Sequence, residues 1–96
     1  MHRYQQRAIE LLHRVLASAR FSRAELGEQL VVTDEQLAAY LEERSPMPLD
    51  RQLCLAQIAI ERIPVLARAG YRLRGQVSAA VAFREHVTTS HNHPPR

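Results

Sequence analysis

The sequence predicts an all-α fold, a bundle of five to six helices. Apolar residues recur at the 3.6-residue period along most of the 96-residue chain. Two helix-start signatures stand eleven residues apart, at Ser22 and Thr33. One segment, 71–77, also has the alternation of a strand, but a lone strand would find no partner elsewhere in the chain. Length and composition agree with a single small domain. Apolar residues make up 46% and charged residues 24%, as in a folded globule rather than a disordered chain. The domain is expected over 1–87, with 88–96 (Thr-Thr-Ser-His-Asn-His-Pro-Pro-Arg) as a disordered tail.

The first helix is expected over 3–20. Tyr4, Ala8, Leu11, Leu12, Val15, Leu16 and Ala19 share one broad face. Arg3, Arg7 and Arg14 fall opposite, with Glu10 placed to pair with Arg14 at i,i+4. Such a stripe either follows a phosphate backbone or is simply a solvated face.

Two short helices follow, near 23–29 and 34–43. Ser22 as N-cap and Glu25 three residues on form a capping box, in which each side chain satisfies the other residue's free backbone N–H; Phe21 and Leu26 form the accompanying hydrophobic staple. Thr33 with Gln36, and Val32 with Leu37, repeat the device. Two capped starts at this spacing leave room only for a tight turn near Leu30–Val32, which is helix-turn-helix geometry over 22–44.

Pro46 and Pro48 close this unit, and a fourth helix is expected over 49–63. Leu49, Leu53, Ala56, Ile60 and Ile63 form its stripe, widened by Cys54, Leu55, Ile58 and Ala59. A helix apolar over so much of its circumference is either central in its domain or shared with a second chain. That predicts a homodimer held by residues 49–87. The last helix is expected over 64–87, with Pro64 in its first turn and Gly70 as a break or cap.

Residues 22–48 resemble the XRE or lambda-repressor-like helix-turn-helix family, on Leu26, Leu30, Val32, Thr33, Leu37, Tyr40, Arg44 and the proline that opens the next helix. Gly27 stands where the family usually has Ala, and Val31 where it has a turn glycine. The resemblance implies a small bacterial transcription regulator that binds double-stranded operator DNA, commonly as a dimer. It implies that Arg23 and Arg44 position the protein on phosphates, while Asp34, Glu35, Gln36 and Ala39 face the groove. Arg3, Arg7, Arg51 and the arginines of 62–74 would supply further attraction.

Charge distribution bears on that reading. All 13 basic residues are Arg, a pattern that coding bias in a GC-rich genome suffices to explain. Residues 1–20 balance to +3 and residues 49–96 to +4. Residues 21–48 set Arg23 and Arg44 against Glu25, Glu28, Asp34, Glu35, Glu42 and Glu43, a balance of −4. Carboxylates near phosphates raise the cost of approach, although at a helix N-terminus they also suit the macrodipole. The alternative function is therefore a protein-interaction module that keeps the fold without binding DNA.

Catalysis, cofactors and a metal site are not expected. There is no nucleophile–base arrangement and no glycine-rich phosphate loop, and Glu42 and Glu43 point apart on a helix. Cys54 lies in an apolar stretch, as a core cysteine would. His86, His91 and His93 sit in or beside the expected tail with no acidic or thiol partner. A lone cysteine, a polar start and no apolar run of membrane length make a cytoplasmic protein without membrane attachment the expectation.

Overall fold

The computed structural model describes residues 3–92, and the side chains of residues 5–84. Every regular element in that span is helical: α1 (Arg3–Ala17), α2 (Arg23–Leu30), α3 (Asp34–Leu41), α4 (Leu49–Arg62), a 3₁₀ turn (Pro64–Leu66) and α5 (Ala67–Asn92). The strand alternative at 71–77 gives way to helix. Leu73 and Val77, four apart, are both buried on one face of α5, and Tyr71 points outward.

Both capping boxes form as the sequence predicts. The Ser22 N–H donates to Glu25 Oε1 at 2.9 Å and the Glu25 N–H to Ser22 Oγ at 3.1 Å. The Thr33 N–H donates to Gln36 Oε1 at 2.8 Å and the Gln36 N–H to Thr33 Oγ1 at 3.1 Å. Between the two helices, Val31 takes a left-handed conformation with φ 56°. Its N–H donates to Glu28 O at 3.2 Å, and the Val32 N–H reaches back to Gly27 O at 2.9 Å. These are the two bonds of a Schellman stop, made without its usual glycine.

The other helix ends correct the expected boundaries in the same way. α1 stops at Ala17, before the predicted residue 20, because Ala19 turns left-handed at φ 59°. α3 stops at Leu41, before residue 43, because Glu43 does so at φ 59°; the Glu43 N–H donates to Tyr40 O and the Arg44 N–H to Ala39 O.

The core gathers Leu12 and Val15 of α1, Leu26 and Leu30 of α2, Leu37 and Tyr40 of α3, Leu55, Ala56 and Ala59 of α4, and Leu73 of α5. Behind α3, Met47 is held by two glutamines. Gln5 donates to Met47 O at 3.2 Å and accepts from its N–H at 2.7 Å; the buried Gln52 donates to the same carbonyl at 2.8 Å. These bonds tie the segment after α3 to both α1 and α4.

α4 and α5 form the longest pairing, an α-hairpin folded over Pro64. Gly70 does not break α5, contrary to the expectation. It is buried at the crossing, where a Cβ would stand 2.8 Å from Ala56 O and 2.8 Å from Ile60 Cγ1. Glycine is there for close approach. Much of the apolar breadth of α4 is used within one chain: Leu55, Ala56, Ile58, Ala59 and Ile63 are buried, Leu49, Cys54 and Ile60 are half-buried, and Leu53 is exposed. α5 also passes the expected tail boundary at Thr88 and stays helical to Asn92, while 93–96 lie outside the described residues. This long helix stretches the molecule to 56 × 27 × 23 Å.

Candidate functional site

α3 buries Leu37 and Tyr40 and turns Asp34, Glu35 and Gln36 outward. Its first turn is fixed by the Thr33–Gln36 box, so the register of that outer face follows from two hydrogen bonds. Glu35, Gln36 and Ala39 line a shallow groove with Tyr40, Arg44 and Ser45. Four of the six residues picked out from the sequence are thereby brought together: Glu35, Gln36, Ala39 and Arg44. Asp34 and Arg23 lie outside the groove, each exposed at the first position of its helix.

The electrostatics of this face are acidic. Arg44 Nε donates to Glu42 Oε1 at 3.1 Å, an exposed pair that occupies one of its two cations. Gln36 Oε1 is committed to its capping bond, which leaves its amide N–H groups for any outside acceptor. Glu25 is held below the usual carboxylate range by the hydrogen bonds it receives from Ser22. Arg23 makes no ion pair among the described residues.

The arginines expected to add attraction are placed elsewhere. Arg51 lies 3.8 Å from Asp50, Arg62 covers the Phe21 ring at 5.5 Å, and Arg74 covers Tyr71 at 4.8 Å. The Arg3 side chain is outside the described residues. Arg7 and Arg14 line a second groove, of about 270 Å³, with Arg68 and Arg72 of α5. Glu10 stands between them and makes no ion pair with Arg14, so the predicted i,i+4 pair is absent. The sequence shows Arg7 and Arg14 as part of a stripe on the first helix and Arg68 and Arg72 as part of a later basic run, but not that the two sets line one groove. The available signal was spacing: Arg7 and Arg14 repeat after two turns, Arg68 and Arg72 after one.

The two grooves lie on different flanks of α1. Gln5 and His13 reach towards Met47 and the end of α3, with His13 Nε2 3.3 Å from Leu41 O. Arg7, Glu10 and Arg14 face α5 instead.

Cys54 sits half-buried on α4, and its Sγ–H donates to Gln29 O of α2 at 3.3 Å. Burial pushes its thiol up, away from the thiolate that nucleophilic chemistry needs. Among the described residues no cluster of His, Cys, Asp and Glu could hold a metal ion, and no helix is long and apolar enough to cross a membrane. His86, His91 and His93 fall outside the described side chains. No protein-family model matches the chain, and comparison with curated proteins and with solved structures returns no match.

Proposed function

We propose that this chain is a DNA-binding regulator that works through α2, its turn and α3 as a helix-turn-helix. The observation that carries the reading is the outer face of α3. Among the described residues no other element covers it; it is set in register by a capping box, and offers Glu35, the Gln36 amide and Ala39 around one groove. In a DNA groove an amide N–H pairs with base acceptors, a carboxylate accepts from cytosine N4, and an alanine methyl meets the thymine methyl. Arg23 and Arg44 flank this face as the phosphate contacts.

The regulator acts as a homodimer in this reading, paired through the outer half of α5. Among the described side chains of α5, which end at Arg84, Val77 is the last buried one, and Val81 and Phe83 beyond it are exposed. A helical extension without tertiary support is marginal in water, and a second copy laid along it would supply that support.

A second reading, a protein-interaction module, draws on the acidity of the same face. Asp34 and Glu35 are exposed, and Glu42 already holds Arg44. Such a surface suits a basic protein partner.

Titrating duplex DNA against salt separates the two. Under the regulator reading the wild-type chain binds at low salt, Arg23→Ala weakens all sequences alike and lowers the salt slope by about 1, and Asp34→Asn with Glu35→Gln raises non-specific affinity. If neither the wild type nor the doubly neutralised chain binds DNA at low salt, the regulator reading falls.

A further inference from the structure

We infer that the groove between α1 and α5 is a binding site for a small polyphosphate anion, of the kind carried by a nucleoside triphosphate. Four guanidinium groups converge there from two helices: Arg7 and Arg14 from α1, Arg68 and Arg72 from α5. None of the four makes an ion pair, hydrogen bond or ring contact among the described residues. Arg44, Arg51, Arg62 and Arg74 each have a carboxylate or an aromatic ring to rest on, and Arg20, Arg23 and Arg84 are likewise unpaired among the described residues but do not line this groove.

The choice of Arg over Lys says nothing, because the chain has no lysine at all. Placement is what argues. Like charges one turn apart on a helix repel, and so does a second pair brought against them from a neighbouring helix. With only Glu10 between them the groove carries +3, an arrangement that an incoming anion relieves. A triphosphate carries several negative charges and several oxygens to share among planar forks that bind phosphate two bonds at a time. The dimensions agree as well. Arg68 and Arg72 are separated by about 6 Å along their helix and Arg7 and Arg14 by about 10 Å, the reach of a short phosphate chain.

The remaining walls suit the other end of a nucleotide. Val65 is 81% exposed at the rim and, with Ala69, offers an apolar surface for a base. Glu10 can accept from a hydroxyl. The groove, about 270 Å³ and partly open, holds the phosphate chain and leaves the rest of a nucleotide partly in solvent. A duplex resting on α3 would meet a different flank of the molecule, so the site does not depend on DNA binding.

Calorimetric titration of the full chain, at about 50 mM salt where charge contacts are strong, tests the assignment with ATP, inorganic tripolyphosphate and a short DNA duplex. ATP and tripolyphosphate should bind, more weakly as salt is added. Arg68→Ala with Arg72→Ala should weaken both by at least about tenfold, since two charge-assisted contacts are lost. Both residues are exposed, and an unchanged helical spectrum checks the fold of the variant. Glu10→Gln should tighten binding, and Arg84→Ala, exposed about three turns further along α5, should leave it alone. Tighter binding of ATP than of tripolyphosphate identifies a nucleotide; equal binding identifies the phosphate chain alone as the ligand. No binding of either anion overturns the site, as does binding that the double variant leaves intact. Loss of duplex binding in the double variant, with neither small anion bound, also overturns it and makes the groove a nucleic-acid backbone contact.

Discussion

Val31 carries a local strain that the rest of the turn makes necessary. A β-branched residue at φ 56° places Cβ against its own carbonyl, at roughly 1–2 kcal/mol. Its side chain is 71% exposed and returns little packing. Val31→Gly should therefore stabilise the chain by about 1 kcal/mol, after allowing for glycine's extra freedom when unfolded. In a chain of this size that is a rise of about 4–8 °C in melting temperature; a fall would mean that the Val31 side chain packs in solution. Glu25 gives a second residue-scale prediction, on pH. Its folded pKa is depressed because its ionised form accepts from Ser22. The folded state thus favours the carboxylate. The resulting stability is present above the unfolded pKa, in the mid-4s, and is lost as pH falls through the lower folded value. Glu25→Gln keeps an acceptor without a proton to gain. Its melting temperature should fall less steeply than that of the wild type below pH 5, and parallel curves would exclude this origin.

At the scale of elements, the starts of α2, α3 and α4 were legible in the sequence, and the stops of α1 and α3 were not. Capping boxes announce α2 and α3 because Ser22, Glu25, Thr33 and Gln36 act through neighbouring backbone. Pro48 and Pro64 bound α4 to within a residue for the same local reason. The stops rest on left-handed Ala19, Val31 and Glu43, residue types that carry no such signal. Glycine misled in the opposite sense. Gly70 has the look of a break, yet it lies inside α5 because α4 passes too close for a side chain. The outer face of α3 was legible, since the cap fixes its register. The arginine groove was not, because which flank of α1 meets α5 is a matter of tertiary packing. The two glycines of α5 provide a matched test. Gly75→Ala meets nothing within 4 Å and should gain up to about 1 kcal/mol from helix propensity. Gly70→Ala earns the same propensity but drives Cβ into the Ala56 carbonyl and Ile60, and should lose about 1–3 kcal/mol net. Chemical denaturation of both variants should show opposite shifts in midpoint. Shifts of the same sign would mean that the α4–α5 crossing is looser than this.

Across the whole molecule, charge and shape divide along the chain. The α2–α3 unit is acidic, the α1–α5 flank is basic, and α5 extends well past the bundle. The radius of gyration is 15.0 Å, against about 12.5 Å for a compact chain of this length. The extension decides where a dimer can form. α4 buries much of its apolar surface inside its own chain, which leaves Leu53 exposed and Leu49 and Ile60 half-buried of the stripe that first suggested association. Among the described side chains of α5, the large apolar ones exposed are Tyr71 beside the bundle and Val81 and Phe83 beyond it; Phe83 is 70% exposed. Scattered apolar residues are ordinary on a monomer, but the stretch of α5 from Ser78 to Arg84, with no buried residue, is marginal as a helix by itself. The dimer reading therefore predicts a coupling between mass and helicity. Light scattering should report two chains at micromolar concentration, and dilution should lower both the mass and the helical signal together, as α5 frays back towards Val77. Phe83→Glu should shift the equilibrium to single chains with the same partial loss of helix, while Leu53→Glu on α4 should leave the mass unchanged. A monomer whose helicity does not vary with concentration would mean that α5 stands on its own residues, and the dimer would be abandoned without touching the DNA or polyphosphate proposals.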